Sequence, residues 1–272
     1  MVSYHKTRIA PTPSGFLHLG NACSFLLTQA LAERTGAKIL LRIDDMDAQR
    51  MRKEYVEDIF DTLNFLEIKY DEGPPDMDEY ETRFAQKHRM QLYDAALQEL
   101  MDKGSVFACR CSRTSLEDHP CNCEKESIPY DTPETALRLR TGDENISVKT
   151  YDRGTVIETL PGEMKNFIVR KKDGMPAYQL ASLVDDVHFG IDLVVRGADL
   201  WPSTLAQLYL AGKLNAVVFL NTCFYHHALI AGQDAGKLSK SAGALSIQAL
   251  RRAGKTKEDI LNMPQMAQIP RF

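Results

Sequence analysis

No run of 18 or more apolar residues occurs in this 272-residue chain, so no membrane span is expected. The first ten residues, Met1 to Ala10, include His5, Lys6 and Arg8 and hold no apolar core of the kind a secretory signal needs. The sequence is therefore read as cytoplasmic. An excess of positive charge is also missing. With 33 Lys and Arg against 37 Asp and Glu, the formal net charge is −4. That argues against a protein that coats nucleic acid by charge alone and leaves room for a localised contact. No internal repeat and no low-complexity tract is present. Cysteine is scarce except in one place. Cys23 and Cys223 stand alone, and the other four of the six fall within the fifteen residues from Cys109 to Cys123.

What is there is an ordinary globular composition, 44% apolar and 26% charged, long enough for one large domain with an insertion or for two modest ones. The run from Lys6 to Pro11 reads as a strand stopped by prolines. Leu17 to Ala32 reads as a helix with Leu19, Ala22, Leu26 and Ala30 on one face, ended by Gly36. Lys38 to Ile43 is a short buried strand, so the first forty residues form a βαβ unit and predict a parallel sheet. Further helices are predicted over Glu54 to Leu66, Arg83 to Lys103, Tyr178 to Asp186 and Ser203 to Leu214, with one more in the tail after Ser246. Strand-like runs recur at Phe167 to Arg170, Asp192 to Arg196 and Phe224 to Ile230. From about 105 to 166 turn residues and short strand-like runs predominate, and this stretch is read as an insertion.

Two segments carry a chemical signal. The first runs from Arg8 to Asn21, between a strand and a helix start. Unpaired backbone N–H groups and the positive end of the helix dipole favour phosphate there. Gly20 would let a nucleotide approach the backbone, and His18 could donate to a phosphate oxygen. The plainer reading is that His18 and Gly20 serve helix capping. The second segment is Gly236 to Gly243, with Lys237 and Lys240 among serines and glycine on either side. Lysine on a loop can be brought onto a triphosphate when that ligand binds; the plainer reading is a solvated basic turn. The four clustered cysteines, Cys109, Cys111, Cys121 and Cys123, could supply four thiolates to a closed tetrahedral Zn²⁺, or remain reduced thiols in a loop. Trp201, His226, His227 and Cys23 are expected to pack rather than to act.

Taken together, His18-Leu-Gly-Asn21 and Lys237-Leu-Ser-Lys-Ser241 resemble the two signature motifs of class I aminoacyl-tRNA synthetases, in the right order. Arg8 to Gly15, Leu41 to Asp47, Tyr70 to Pro74, Tyr178 to Asp186 and Val195 to Leu200 resemble the glutamyl branch. Only 31 residues follow Ser241, which leaves no room for that branch's anticodon-binding domain. The chain is thus most similar to the truncated paralogues that attach glutamate to the queuosine base of tRNA(Asp). The resemblance implies an α/β fold, a Rossmann-type parallel sheet with helices on both faces, split by a smaller α+β insertion. The expected layout is residues 1–104 as the first half, 105–166 as the zinc-bearing, acceptor-binding insertion and 167–272 as the second half.

The same resemblance implies roles. ATP with Mg²⁺ would meet Thr12, His18, Gly20, Asn21, Lys237, Ser239 and Lys240, of which His18, Lys237 and Lys240 stabilise charge on the phosphates. Glutamate would meet Arg8, Thr12, Asp44, Tyr178, Ser182 and Arg196. Arginines facing one pocket favour an anionic side chain. Asp44 stands where the branch usually has glutamate to reach the substrate's amino group, Ser182 where full glutamyl enzymes have asparagine, and Asn21 where the general motif ends in histidine. The truncated paralogues can bind zinc at the C-x-C, with a ligand set not identical to the one here. The expected partners are glutamate, ATP and tRNA, with no membrane, and the expected state is a monomer. Three alternatives stay open: a synthetase-like ligase with a non-tRNA acceptor, a truncated glutamyl-tRNA synthetase charging a tRNA 3′ end, and a non-catalytic paralogue.

Overall fold

A computed structural model describes residues 2–47, 49–112, 121–229, 246–264 and 266. The chain divides into two compact units. The first comprises Met1–His88, Ile191–Asp199 and Phe224–Phe272, the second Arg89–Gly190 and Leu200–Cys223.

The first unit opens with the βαβ element. Strand β1 (Lys6–Ile9) pairs in parallel with β2 (Lys38–Leu41), Lys6 opposite Lys38 and Ile9 opposite Leu41. The ladder runs on past the strands, since Arg42 N–H donates to Ile9 O and Asp44 N–H to Pro11 O, each at 2.9 Å. Ile39, Leu40 and Leu41 are all buried, the continuous apolar run of a strand covered on both faces. Helix α1 (Leu19–Thr35) crosses between them and stops at Gly36, whose left-handed φ of 77° lets its N–H close on Ala32 O. The buried face of α1 holds Leu19, Ala22, Cys23, Phe25, Leu27 and Leu31, while Leu26 and Ala30 are only half-buried. The apolar stripe is therefore rotated and wider than spacing alone indicated.

Helix α2 (Lys53–Phe65) buries Val56, Ile59 and Leu63. A helix from Arg83 is not formed. Instead a π turn (Tyr80–Phe84) and a 3₁₀ turn (Gln86–Arg89) intervene. Asp45 is the cause: its carboxylate accepts from Tyr80 Oη at 2.6 Å and from Gln86 N–H at 3.0 Å, which diverts that amide from a helical carbonyl.

In the second unit the expected third helix begins as α3 (Met90–Asp102). Strands β3 (Val106–Cys109), β4 (Ala136–Leu139) and β7 (Ile168–Arg170) form an antiparallel sheet, and β5 (Ile146–Thr150) pairs antiparallel with β6 (Gly154–Glu158). Helices α4 (Tyr178–His188), α5 (Trp201–Lys213) and α6 (Val217–Leu220) complete it. Asp185 on α4, fully buried, accepts from Arg89 at 2.7 and 3.1 Å and from Tyr93 Oη at 2.7 Å, which locks α4 to α3. Trp201 packs as expected, its Nε1 donating to Glu158 at 2.9 Å and the Arg153 guanidinium over its ring.

Back in the first unit, β8 (Leu193–Gly197) lies beside β1, where Asp192 N–H donates to Lys6 O and the Asp192 carboxylate accepts from His5 and Lys6 N–H. Strand β9 (Cys223–His227) neighbours β8. Among the described residues the tail holds two short helices rather than one, α7 (Ile247–Arg252) and α8 (Lys257–Leu261), separated at Gly254, whose φ is 76°. The class is α/β, and among the described residues no helix is long and apolar enough to cross a membrane.

Candidate active site and metal centre

The connection from β1 to α1 is built around His18. Its extended backbone (φ −115°, ψ 173°) makes it the N-cap of α1. The ring Nδ1 accepts from Gly20 N–H at 3.1 Å, and Asn21 Oδ1 accepts from His18 N–H at 3.0 Å. This reciprocal cap satisfies two of the helix's orphan donors. It also settles the tautomer. A nitrogen that accepts carries no proton, so the neutral ring bears its hydrogen on Nε2 and presents a donor. Burial lowers the His18 pKa below its ordinary 6.5, against a pull upward from Asp199. The first turn of α1 has no acidic residue to offset the dipole. Capping does not use up the side chain: Nδ1 accepts from Gly20 N–H, and the proton on Nε2 remains a donor. At Gly20 an added Cβ would stand 3.0 Å from His18 Cε1. Thr12 is exposed, and its carbonyl accepts from Ser14 N–H at 2.8 Å.

Arg8 and Arg196 come from the neighbouring strands β1 and β8, and both are buried. Arg8 Nη1 donates to Val195 O at 3.3 Å, and Arg196 lies over the Phe224 ring at 5.3 Å. Asp44 follows β2, also buried. Arg42 holds it as a fork, Nε to Oδ1 at 2.7 Å and Nη2 to Oδ2 at 3.2 Å. Sequence spacing gave no sign of that pair, because residues two apart on a strand face the same side only if the extended backbone continues, as it does here. Tyr178 and Ser182 belong to the second unit, one turn apart on α4, the first 41% exposed and the second 1%.

Lys237, Ser239 and Lys240 lie outside the described residues, but the chain on either side is placed. His227 Nδ1 donates to Ala228 O at 2.9 Å, so Nε2 accepts from Ser24 Oγ at 2.6 Å. On the other side Ser246 pairs with His18 as an antiparallel bridge, and Ile247 N–H donates to Leu17 O at 2.7 Å. Leu17 N–H in turn donates to Asp58, a carboxylate that the sequence reading passed over on the apolar side of α2. Its signal was present as a charge among Val56, Ile59 and Leu63.

The cysteines form a second centre, within the second unit. All four Sγ atoms lie within 4.8 Å of one another, with Cys109 and Cys123 buried and Cys111 and Cys121 half-buried. Neighbouring sulfurs are 3.6 Å (Cys109 to Cys121), 3.8 Å (Cys111 to Cys121) and 3.6 Å (Cys111 to Cys123) apart. Four ligands about 2.3 Å from a tetrahedral Zn²⁺ stand about 3.8 Å from each other, so the set fits zinc closely. Without a cation, burial and then the neighbouring sulfurs of Cys123, Cys109 and Cys121 push the Cys111 thiol up to about 12. A dication reverses that preference, because it binds thiolates. Cys23 is buried in the core as expected, its thiol pushed up to about 11 by burial.

Comparison with known proteins places most of the chain within one family. Residues 5–145 and 122–267 match the family described as tRNA synthetases class I (E and Q), catalytic domain. The chain is 34% identical over 274 residues to a glutamyl-Q tRNA(Asp) synthetase of Symbiobacterium thermophilum, covering 93% of this chain and 83% of that protein. It is 32% identical over 276 residues to a glutamate–tRNA ligase of Sulfurihydrogenibium sp., covering 94% of this chain and 57% of the ligase. Among solved structures, the glutamate–tRNA synthetase of Elizabethkingia anophelis superimposes with a TM-score of 0.73 at 25% identity, over 89% of this chain and 53% of that one.

Proposed function

The chain belongs to the class I tRNA synthetases of the glutamate and glutamine branch, and on that premise we propose that it activates glutamate with ATP and transfers it to the queuosine base of tRNA(Asp). The observation that carries the first half is the His18 turn: a neutral imidazole with its donor on Nε2 at the start of a helix whose first turn is free of acid. In this reading the glutamate carboxylate attacks the α-phosphate in line, pyrophosphate leaves, and a hydroxyl of the acceptor then attacks the adenylate carbonyl, releasing AMP. His18 Nε2–H, with Lys237 and Lys240, stabilises the charge that builds on the phosphates, while Gly20, Asn21, Thr12 and Ser239 shape the nucleotide site. When bound, Mg²⁺ shares that charge. No side chain becomes a nucleophile, and catalysis is positioning plus electrostatics.

Arg8 and Arg196, on adjacent strands, give the forks that a dicarboxylate amino acid calls for. Asp44, oriented by Arg42 at both oxygens and one methylene shorter than glutamate, keeps the charge that pairs with the substrate's amino group, with a water able to bridge the gap. The likeness to the glutamyl branch assigns Tyr178 and Ser182 to glutamate as well. For the acceptor, the support is the 34% identity to the glutamyl-Q tRNA(Asp) synthetase over 93% of this chain. Residues 105–166 are then a zinc-bearing insertion that receives the RNA, between Rossmann halves at 1–104 and 167–272, and the protein acts as a monomer.

The test is amino-acid-dependent ATP–pyrophosphate exchange over all twenty amino acids, with and without bulk tRNA, followed by transfer of labelled glutamate to tRNA with and without queuosine. The expected result is exchange with glutamate and label only on queuosine-containing tRNA. Label on queuosine-free tRNA would move the acceptor to the 3′ end; exchange without label would move it off tRNA altogether. No exchange under either condition would overturn the activity.

A further inference from the structure

Three elements distant in sequence meet at the residue before His18. Leu17 N–H donates to Asp58 Oδ2 at 3.1 Å, and Leu17 O accepts from Ile247 N–H at 2.7 Å. The other oxygen of Asp58 accepts from Arg251 Nη2 on α7 at 2.8 Å. Arg251 also reaches Asp61 at 3.4 Å and lies over the Phe65 ring. The turn, α2 and α7 therefore close into a ring of hydrogen bonds, with the Asp58 side chain wholly buried inside it. Burial raises the Asp58 pKa, and the bonds from Leu17 and Arg251 pull against that rise.

A carboxylate is an expensive way to fill space on an apolar face, where Val56, Ile59 and Leu63 do so without penalty. What it adds is direction. Fixing both the N–H and the C=O of Leu17 fixes the peptide plane that leads into His18, and with it the aim of the imidazole. The ring also fixes one flank of residues 230–245. Ser246, six residues after Lys240, is bridged to His18 and caps α7 by accepting from Ala249 N–H at 3.1 Å. The opposite flank ends at His227, which is bonded to Ser24. Ser24 and His18 are six residues apart, or about 9 Å along α1. Both flanks are thus tied to the same end of the same helix.

We propose that Asp58 is a positioning residue for adenylate formation. By joining the Leu17 amide to Arg251 it aims His18 at the phosphates. The assignment rests on the adenylation reading above. The experiment uses the full chain with Asp58→Asn, His18→Asn and the double variant, in glutamate-dependent ATP–pyrophosphate exchange. Asparagine keeps the shape at 58 but cannot accept from Leu17 and Arg251 together as a charge. D58N is expected to lower kcat about ten- to a hundredfold, the range for a lost hydrogen bond to a charged group, with the KM for glutamate unchanged. In the H18N background the same substitution should cost nothing further, because there is no imidazole left to aim. Unchanged kcat in D58N, or losses that simply add, overturns the proposal. Arg251→Lys keeps a cation on Asp58 without the fork. It should show a smaller loss with the same non-additivity, and it decides the matter if D58N does not fold. A readout independent of turnover is the NMR titration of the His18 ring, expected to move to higher pH in D58N as the loosened turn admits water; identical titrations overturn the proposal. If the wild-type protein shows no exchange, the functional reading falls, and the titration still decides whether Asp58 governs the turn.

Discussion

The His18 turn and the cysteine cluster achieve order by opposite means. At the turn every constraint comes from the chain itself: Nδ1 on Gly20, Asn21 on the His18 amide, Asp58 on Leu17, Ser246 across from His18. The site is formed before any ligand arrives. At the cluster, four sulfurs are gathered 3.6 to 3.8 Å apart at their nearest, with a thiol at Cys111 pushed up to about 12, joined by hydrogen bonds between sulfurs and by the backbone amides of Cys111 and Cys123. That arrangement becomes strong when a dication replaces the protons. A turn capped by neutral groups tolerates an empty state, because its donors carry no full charge; a thiolate tetrahedron does not, because its charges face each other. The two centres should therefore respond differently to the same insults.

The largest difference should follow metal removal. Purified protein is expected to hold about one zinc per chain, and a structural zinc contributes on the order of 10 kcal/mol to the fold around it. Chelation, or Cys121→Ala, should melt the surroundings of Cys109 and Cys123 and abolish transfer to RNA, while glutamate-dependent exchange is largely retained. If the melting curve and transfer are untouched by chelation, the cluster is a set of reduced thiols and the contrast disappears.

Acid should act on the turn instead, and more weakly. The folded pKa of His18 lies below its ordinary 6.5 because the ring is buried. The unfolded chain therefore takes up the proton first as pH falls. The stabilisation given by the neutral cap is complete above pH 6.5 and is lost as pH drops through the lower folded value. Protonation at Nδ1 also ends its role as acceptor for Gly20 N–H. The loss is about 1 kcal/mol, the usual worth of an N-cap. Melting followed from neutral pH to about pH 5 should show this loss in the wild type and not in His18→Asn, whose cap does not titrate. Equal slopes in the two proteins would mean that Nδ1 is not the capping atom.

These contrasts also mark what was legible in the sequence. Short-range rules carried a long way: the apolar run of β2, Gly36 at the end of α1, and the helix start at His18 all follow from neighbours within four residues. The reading failed wherever a distant side chain outbid the local pattern. Asp45 takes the amide of Gln86, and the predicted helix from Arg83 starts only at Met90. Asp58 and Ser24 matter through partners 41 and 203 residues away, and no periodicity encodes either pair. The clustering of the cysteines was legible for the opposite reason, since two C-x-C pairs nine residues apart already bring four thiols close along the chain.

The finest test separates the stability of the turn from its use. Gly20 is the second residue of α1, where alanine is intrinsically better by up to about 1 kcal/mol. Against this, its Cβ would stand 3.0 Å from His18 Cε1 and 3.1 Å from Nδ1. The imidazole must yield by a few tenths of an ångström, and it can do so only by stretching the bond that caps the helix. The two effects oppose each other, so Gly20→Ala should change the melting temperature little in either direction. Activity has no such compensation. On the proposed function, the displaced ring no longer aims Nε2–H at the phosphates. ATP–pyrophosphate exchange should therefore fall severalfold or more, chiefly as kcat/KM for ATP, in a protein that melts as the wild type does. If exchange survives intact, the turn has slack that its hydrogen bonds do not reveal, and its preorganisation is no tighter than that of the sulfurs.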